Sequence, residues 1–474
     1  MPLAADYEEL RLCIRDEKII TKKLKNKRAS RGNSRPLLKN SLYSDQHSRG
    51  LCVLSLKRAK LRSSLRYQSI NLSAAAAGEE KGKGNSMGSL GQRSVLMICG
   101  DYMEDYEVMV PFQALRALGI SIDCVSPGKI SGDTCFTAVH DYMGHQLYTE
   151  LQGHFFKLNS NFSEVKPESY DALIIPGGRF TELLSADDKV LGIVSNFSQA
   201  GKPIATTCHS QLLLVATGFI KGKKCTAFPS MKPLVTLAGG VWMDPEPITS
   251  CVLDGNIISA IGWPAHAEYL NLLLRSMGAK ISGSQNKAII FLCGDYVEDY
   301  EINVPFRTMG GLGCRVEAAS PGKKKGDKCV TAIFDYEGAN VCSEKSGHYF
   351  IVTLDWNEIC VDDYDCLVIP GGRSPEYLVM DDKVVALVKE FAEKNKVISA
   401  IGQGKWLLAA AGLLEGKRCA TSYAMKAIVK VGGGEVVEST PSLAHGKLLT
   451  ARGWPALPHF ISDLANLLGI TVVF

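Results

Sequence analysis

The feature that most constrains this chain is a repeat held in fixed register. GDYMEDYE begins at Gly100 and returns as GDYVEDYE at Gly294, SPGK returns from Ser126 to Ser320, and IPGGR from Ile175 to Ile369. Each recurs 194 residues later; GWPAH at Gly262 answers GWPAL at Gly453 after 191, so a small deletion lies between. A unit of about 190 residues is a domain rather than a solenoid repeat. The chain of 474 residues is therefore expected to fold as two copies of one domain, at 91–281 and 286–474, joined through GAKISGSQNKA (278–288).

Within copy one, SVLMICG reads as a buried strand and EVMVPFQALRALG as an amphipathic helix ended by Gly119. ISIDCVS and YDALIIPGG read as strands, DDKVLGIVSNFSQAG as a helix, and KPIATTC as a strand followed at once by the helix HSQLLLVATG. Strands alternating with helices predict a parallel sheet covered on both faces. The expected fold is α/β, two tandem flavodoxin-like three-layer α/β/α sandwiches with a disordered basic N-terminal extension over residues 1–90.

Charge separates that extension from the rest. Residues 1–86 hold about eleven more basic than acidic side chains against a net +4 for the whole chain, so the remainder is acidic by about seven. A mildly acidic folded part argues against nucleic-acid binding by its surface. No apolar run approaches the ~18 residues of a membrane span. The opening ADYEEL is acidic and no adequate apolar run follows, which argues against a secretory or transit signal. The expected location is the cytoplasm, with KKLKNKR (22–28) as a candidate nuclear-import cluster and Met87 as an alternative start. Fifteen cysteines without a CxxC motif, many in apolar runs, read as reduced buried thiols.

Chemistry concentrates at TTCHS. Cys208 sits between a β-branched strand and a helix, a nucleophile-elbow arrangement that presents the thiol at the C-terminal edge of the sheet. The helix N-terminus is expected to favour a thiolate, and His209 is placed as general base or proton shuttle. GDYMEDYE follows the first strand at the same edge, where Glu107 can face Cys208 as a protonated carboxyl. The glycines of IPGGR, Gly177 and Gly178, allow close backbone approach and oxyanion donors.

GDYMEDYE, IPGGR, ATTCHS and GWPAH resemble the PfpI superfamily, which includes the archaeal intracellular protease and the Parkinsonism-associated deglycase. The similarity runs over roughly residues 94–474, and the tandem arrangement is similar to plant two-domain members. The resemblance implies Cys208 as nucleophile, Glu107 as the acid that hydrogen-bonds it, and His209 as the adjacent histidine. It implies that Glu182, just after PGGR, reaches a neighbouring active site across a domain or subunit interface. One departure stands at the elbow: Ser210 where the family commonly has Gly.

The second copy lacks the motif. The register that carries Cys208 and His209 forward lands on Gly402 and Gln403, so copy two is expected to be inactive. His140, His145 and His266 become Phe334, Ala339 and Leu457, whereas Glu301 and Glu376 preserve the partners of Glu107 and Glu182. Copy two is then expected to persist as a pseudo-dimer partner, with Glu376 as a candidate interface acid and a surface position as the alternative. His140, His145 and His266 lack metal-ligand spacing such as HxxxH, so no metal is expected; His266 is a candidate for the substrate-pocket rim.

The resemblance implies a glutathione-independent glyoxalase or deglycase, expected here to be cofactor-free and to act on small reactive aldehydes such as methylglyoxal. The absence of a P-loop or a dinucleotide GxGxxG accords with no cofactor. No nucleic-acid or membrane partner is expected, and a homo-oligomer built from the two-domain unit is an open possibility. An oxidative-stress sensor or chaperone-like protein without turnover is the alternative, and a cysteine peptidase comes third.

Overall fold

The computed structural model describes residues 93–142, 147–336 and 342–474. The expected N-terminal extension, KKLKNKR, Met87 and His145 lie outside the described residues. Each copy contains a six-stranded sheet. In copy one the order is Cys251–Asp254, Ile257–Ala260, Ile204–Thr207, Ala172–Ile175, Ser94–Ile98 and Ser121–Val125. All neighbours run parallel except the edge hairpin formed by the first two strands. Copy two repeats that order from Ser442–His445 to Arg315–Ala319, again with one antiparallel edge. The central strands are apolar throughout because helices cover both faces: Val95, Leu96, Met97 and Ile98 have no exposure.

Two arms absent from the sequence-based outline leave the sheets. Thr134–Val139 pairs with Leu151–Lys157, and Lys328–Tyr336 with Cys342–Ile351. In copy one strict alternation between exposed and buried covers only 134–137 and 154–157, runs of two-residue period too short to mark the strands. Near the chain's end, Thr471–Val473 pairs with Lys280–Ser282, clasping the end of copy two onto the inter-copy linker. Among the described residues no helix is long and apolar enough to cross a membrane.

The two copies share a core. One apolar cluster runs from the first sheet into copy two and contains Leu96, Val108, Leu273, Ile302, Phe306 and Phe460. At its centre the helices Asp105–Ala117 and Asp299–Gly311 pack together. The sequence pattern predicts an amphipathic helix over the first of these, yet 11 of its 13 residues are buried. Its own sheet covers one face and copy two covers the other, so both sides are shielded from water.

Polar groups cross this seam in pairs. Tyr106 Oη donates to Asp299 Oδ1 at 2.7 Å, and Tyr300 Oη donates to Asp105 Oδ1 at 2.8 Å. Each aspartate is also held within its own copy: Asp105 by Thr137 and by His154 Nδ1 at 2.9 Å, Asp299 by Thr331 and by His348 Nδ1 at 3.1 Å. The rings alternate across the seam, with Tyr106 stacked on His348 at 3.6 Å and Tyr300 on His154 at 3.8 Å. A hydrogen bond to a buried carboxylate contributes about 1.5–3 kcal/mol. Tyr106→Phe is therefore expected to lower the stability of the folded chain by about that much in urea unfolding. An unchanged midpoint would mean that the seam bonds contribute nothing.

Candidate active site at the first elbow

Strand Ile204–Thr207 is buried along its whole length and ends at the carboxyl edge of the sheet. The next residue, Cys208, has φ +54°, a left-handed conformation that costs a residue with a Cβ. A three-residue turn, Cys208–Ser210, then leads into the short helix Gln211–Ala216. Ser210 explains how the turn closes: its Oγ accepts from Thr207 N at 2.8 Å and donates to Thr207 O at 2.7 Å. The Ser210 hydroxyl thus caps the elbow rather than entering a pocket. In copy two the corresponding Gly402 keeps the same backbone, φ +47°, without a side chain.

Cys208 Sγ lies 3.1 Å from His209 Nδ1, and the thiol is only 4% exposed. His209 Nε2 lies 3.3 Å from Ser230 Oγ. The imidazole stacks on Phe228 at 5.3 Å and meets Tyr148 edge-on at 5.7 Å. Burial holds the His209 pKa below the usual imidazole value, partly offset by Glu182, which leaves it neutral and able to accept a proton. The Cys208 thiol is pushed well up, first by burial and then by Glu107 and Glu104, against the backbone N–H groups of His209 and Gly178. This reverses the expected helix-favoured thiolate: a six-residue helix cannot outweigh burial beside two carboxyl groups.

Glu107 is buried on the facing helix. Its Oε2 accepts from Gly177 N and Thr207 Oγ1, both at 2.6 Å, and its Oε1 accepts from Trp263 N at 3.1 Å. Burial and the neighbouring Glu104 push its pKa up to about 8. Gly177 makes this approach possible, because a Cβ there would lie 2.4 Å from Cys208 Cβ and 2.5 Å from Glu107 Oε2. The two glycines therefore differ in role. The Gly177 N–H is engaged by Glu107, while the Gly178 N–H faces the sulfur.

The remaining candidates are not gathered at the thiol. Glu182 is exposed and lines a cavity of about 880 Å³ with Arg179, Glu150 and Lys129; its field acts on His209 of its own copy. Glu376 lines a separate cavity of about 510 Å³ with Arg373 and Tyr377, all in copy two. Among the described contacts neither carboxylate crosses the seam. His266 has no exposure, neither ring nitrogen bonds to the protein, and its charged neighbours are Arg307 and His348 rather than Cys208. It sits in the core because the helix His266–Ser276 packs on the copy-two seam helix. His140 stands behind Tyr148, 4.6 Å between rings, and burial lowers its pKa to about 3. Asp105, Asp299 and His348 bring potential metal-ligand atoms within 4.8 Å of one another, but these atoms are already engaged: the aspartates by Tyr106, Tyr300, Thr137 and Thr331, and the two ring nitrogens of His348 by Asp299 and Glu104.

Ser230, Phe228 and Tyr148 escape the motif-based reading. A signal for them exists in the repeat itself: the same register carries them to Ala424, Ser422 and Cys342. The groups around His209 change together with the lost Cys–His pair.

The sequence profile of the DJ-1/PfpI family matches residues 93–276 and 287–467. The chain is 53% identical over 398 residues to DJ-1 protein homolog E of Arabidopsis thaliana, covering 82% of this chain and 100% of that protein. It is 52% identical over 399 residues to DJ-1 protein homolog F of the same plant, with the same coverage. Over 168 residues it is 30% identical to Deglycase PH1704 of Pyrococcus horikoshii, covering 35% of this chain and 88% of that protein.

The elbow strain is measurable. Cys208→Ala keeps a Cβ in the left-handed conformation and Cys208→Gly removes it, so the glycine variant is expected to be the more stable by about 1 kcal/mol. Chemical unfolding of the two variants reads the difference; equal stabilities would show that the elbow stores no strain.

Proposed function

The chain belongs to the DJ-1/PfpI family, and on that premise we propose that copy one is a cofactor-free enzyme of the glyoxalase or deglycase type, acting on small 2-oxoaldehydes through Cys208. One observation carries the reading: a thiol 3.1 Å from a neutral imidazole, beside a carboxyl group held protonated. The archaeal relative bears the name deglycase, which supports the deglycase type of activity in this reading.

In this mechanism the raised thiol pKa is no obstacle, because His209 Nδ1 takes the proton as the sulfur attacks. Addition to the aldehyde carbon gives a hemithioacetal, whose oxygen is steadied by the backbone N–H groups that face the sulfur. His209 or Glu107 then moves the carbon-bound proton through an enediol, which collapses to a thioester. Water hydrolyses the thioester, freeing the hydroxy acid and regenerating the Cys208 thiol. Ser230 orients His209 from its far nitrogen. Gly402 and Gln403 offer neither nucleophile nor base, so turnover belongs to copy one. The raised pKa of the Cys208 thiol weighs against the sensor alternative, which calls for a thiol that ionises readily.

The full chain is expected to convert methylglyoxal to lactate without glutathione, and Cys208→Ala to abolish this. His209→Asn is expected to lower kcat by about 10²–10⁴-fold. Because Glu107 acts in its protonated form, the rate should fall as pH rises through about 8, where the carboxyl loses its proton. No turnover in any variant, with Cys208 still readily oxidised by peroxide, would move the protein to the sensor class.

A further inference from the structure

We propose that copy two serves the first elbow through His348, a positioning residue that crosses the seam and decides which of two neighbouring carboxyls, Glu104 or Glu107, carries the negative charge. The proposal rests on the reading of Cys208 and Glu107 given above and adds a task for the copy that lacks them.

His348 belongs to copy two and has no exposure. Its Nδ1 lies 3.1 Å from Asp299 Oδ2 in its own copy, and its Nε2 lies 2.7 Å from Glu104 Oε1 in copy one. Stacking on Tyr106 at 3.6 Å and an edge contact with Trp263 at 5.7 Å fix the ring in that orientation. Glu104 in turn caps the helix that carries Glu107: its Oε2 accepts from Glu107 N at 2.7 Å. A continuous path therefore leads from His348 through Glu104 to Glu107, which lies against Gly177 beside Cys208.

Two carboxyls three residues apart, both out of water, cannot ionise together without large cost. A cation seated on Glu104 tips the competition. Burial pushes the Glu104 pKa up to about 7 against the pull of His348, whereas that of Glu107 reaches about 8, so the charge falls on Glu104 and the proton on Glu107. Burial opposes charge on His348, but Asp299 and Glu104 outweigh it and hold the imidazole charged. The other titratable groups that feel His348 are Asp105, Asp141, His140 and His266; those that feel Glu107 are Cys208, Tyr142 and Tyr269.

The seam supplies its own control. His154 is the counterpart of His348 and binds Asp105 as His348 binds Asp299. Its Nε2, however, makes no hydrogen bond to the protein, so no imidazole crosses to Glu298. Although both copies carry the same residues here, among the described residues the crossing imidazole–carboxylate bond runs only from the copy without a nucleophile to the copy that has one.

The test is the pH dependence of Cys208 alkylation by iodoacetamide in the full chain, with modification at Cys208 quantified by mass spectrometry. This readout does not require turnover, so a failed enzyme reading and a failed positioning role are distinguishable. In His348→Gln the charge shifts toward Glu107, beside the thiol, and the alkylation midpoint is expected to rise by about half a pH unit or more, roughly a threefold loss of thiolate at a given pH. His348→Asn, which keeps a buried polar side chain that cannot carry charge, is expected to move the midpoint the same way and serves if His348→Gln fails to fold. His154→Gln is expected to leave it in place. Superimposable curves for wild type and His348→Gln, or for wild type and His348→Asn where that variant stands in, would overturn the proposal. An equal shift in His154→Gln would overturn it as well, because general loosening of the seam would then be the cause.

Discussion

Everything in this structure depends on burying two aspartates, Asp105 and Asp299, at the first turns of two helices that meet face to face. An isolated carboxylate in such a place is expensive, and removing one partner of a buried charge pair typically costs about 3–5 kcal/mol. Here each aspartate is met by a tyrosine from the other copy and by a histidine and a threonine from its own. Burial pushes the Asp105 carboxyl up, and the imidazoles of His154 and His348 outweigh it and hold the group well below the usual carboxylate range. The network can be satisfied in only one mutual placement of the two copies. Apolar packing supplies the attraction between the helices, and the charges supply its register.

Against that shared frame the two elbows have diverged. Copy one keeps a left-handed cysteine, a threonine whose hydroxyl supports Glu107, and a serine that ties off the turn. Copy two has Gly402, Ile401 and Gly404 at those positions. A buried lysine, Lys405, now bonds the carbonyls of Gly402 and Ala451. Burial lowers its pKa to about 8, and Glu301 opposes that shift. Lys405 replaces Gln211, which in copy one bonds Thr226 O. The second elbow has become a structural joint: its backbone is preserved, its strain is relieved by glycine, and neither the thiol nor the imidazole is present.

How much of this could be read from sequence follows from how local each feature is. The sheet is legible because its central strands are short, unbroken apolar runs such as SVLMI, and the elbow because strand, turn and helix adjoin in the chain. The Cys208–His209 contact and the placing of Glu107 near Cys208 need only the rule that loops after parallel strands share one edge. The seam is different in kind. His348 and Glu104 are 244 residues apart, and nothing adjacent to either marks the pairing. For the same reason His266 reads as a rim residue after Trp263-Pro264, although a helix from copy two covers it completely. What the sequence does contain is a contrast between the copies. Glu104, Asp105, Tyr106 and His154 all recur in copy two, whereas Ser230, Phe228 and Tyr148 do not. The first set lies at the seam and the second around His209.

That contrast gives a physical reason for keeping a copy without the Cys–His pair in the same chain. In a symmetric dimer of identical chains, any substitution at the elbow appears in both sites, so strain at one cannot be relieved without losing the other. Tandem fusion removes the constraint. Copy two can exchange its strained cysteine for Gly402 while its seam residues, which the first copy's fold requires, stay as they were. The seam then need not be symmetric either, and among the described residues its crossing imidazole–carboxylate bond is directed at Glu104, the cap of the helix that carries Glu107. Covalent linkage also keeps the supporting copy at a high effective concentration whatever the protein concentration. An elbow that relies on a partner for its buried charges is thereby never without one.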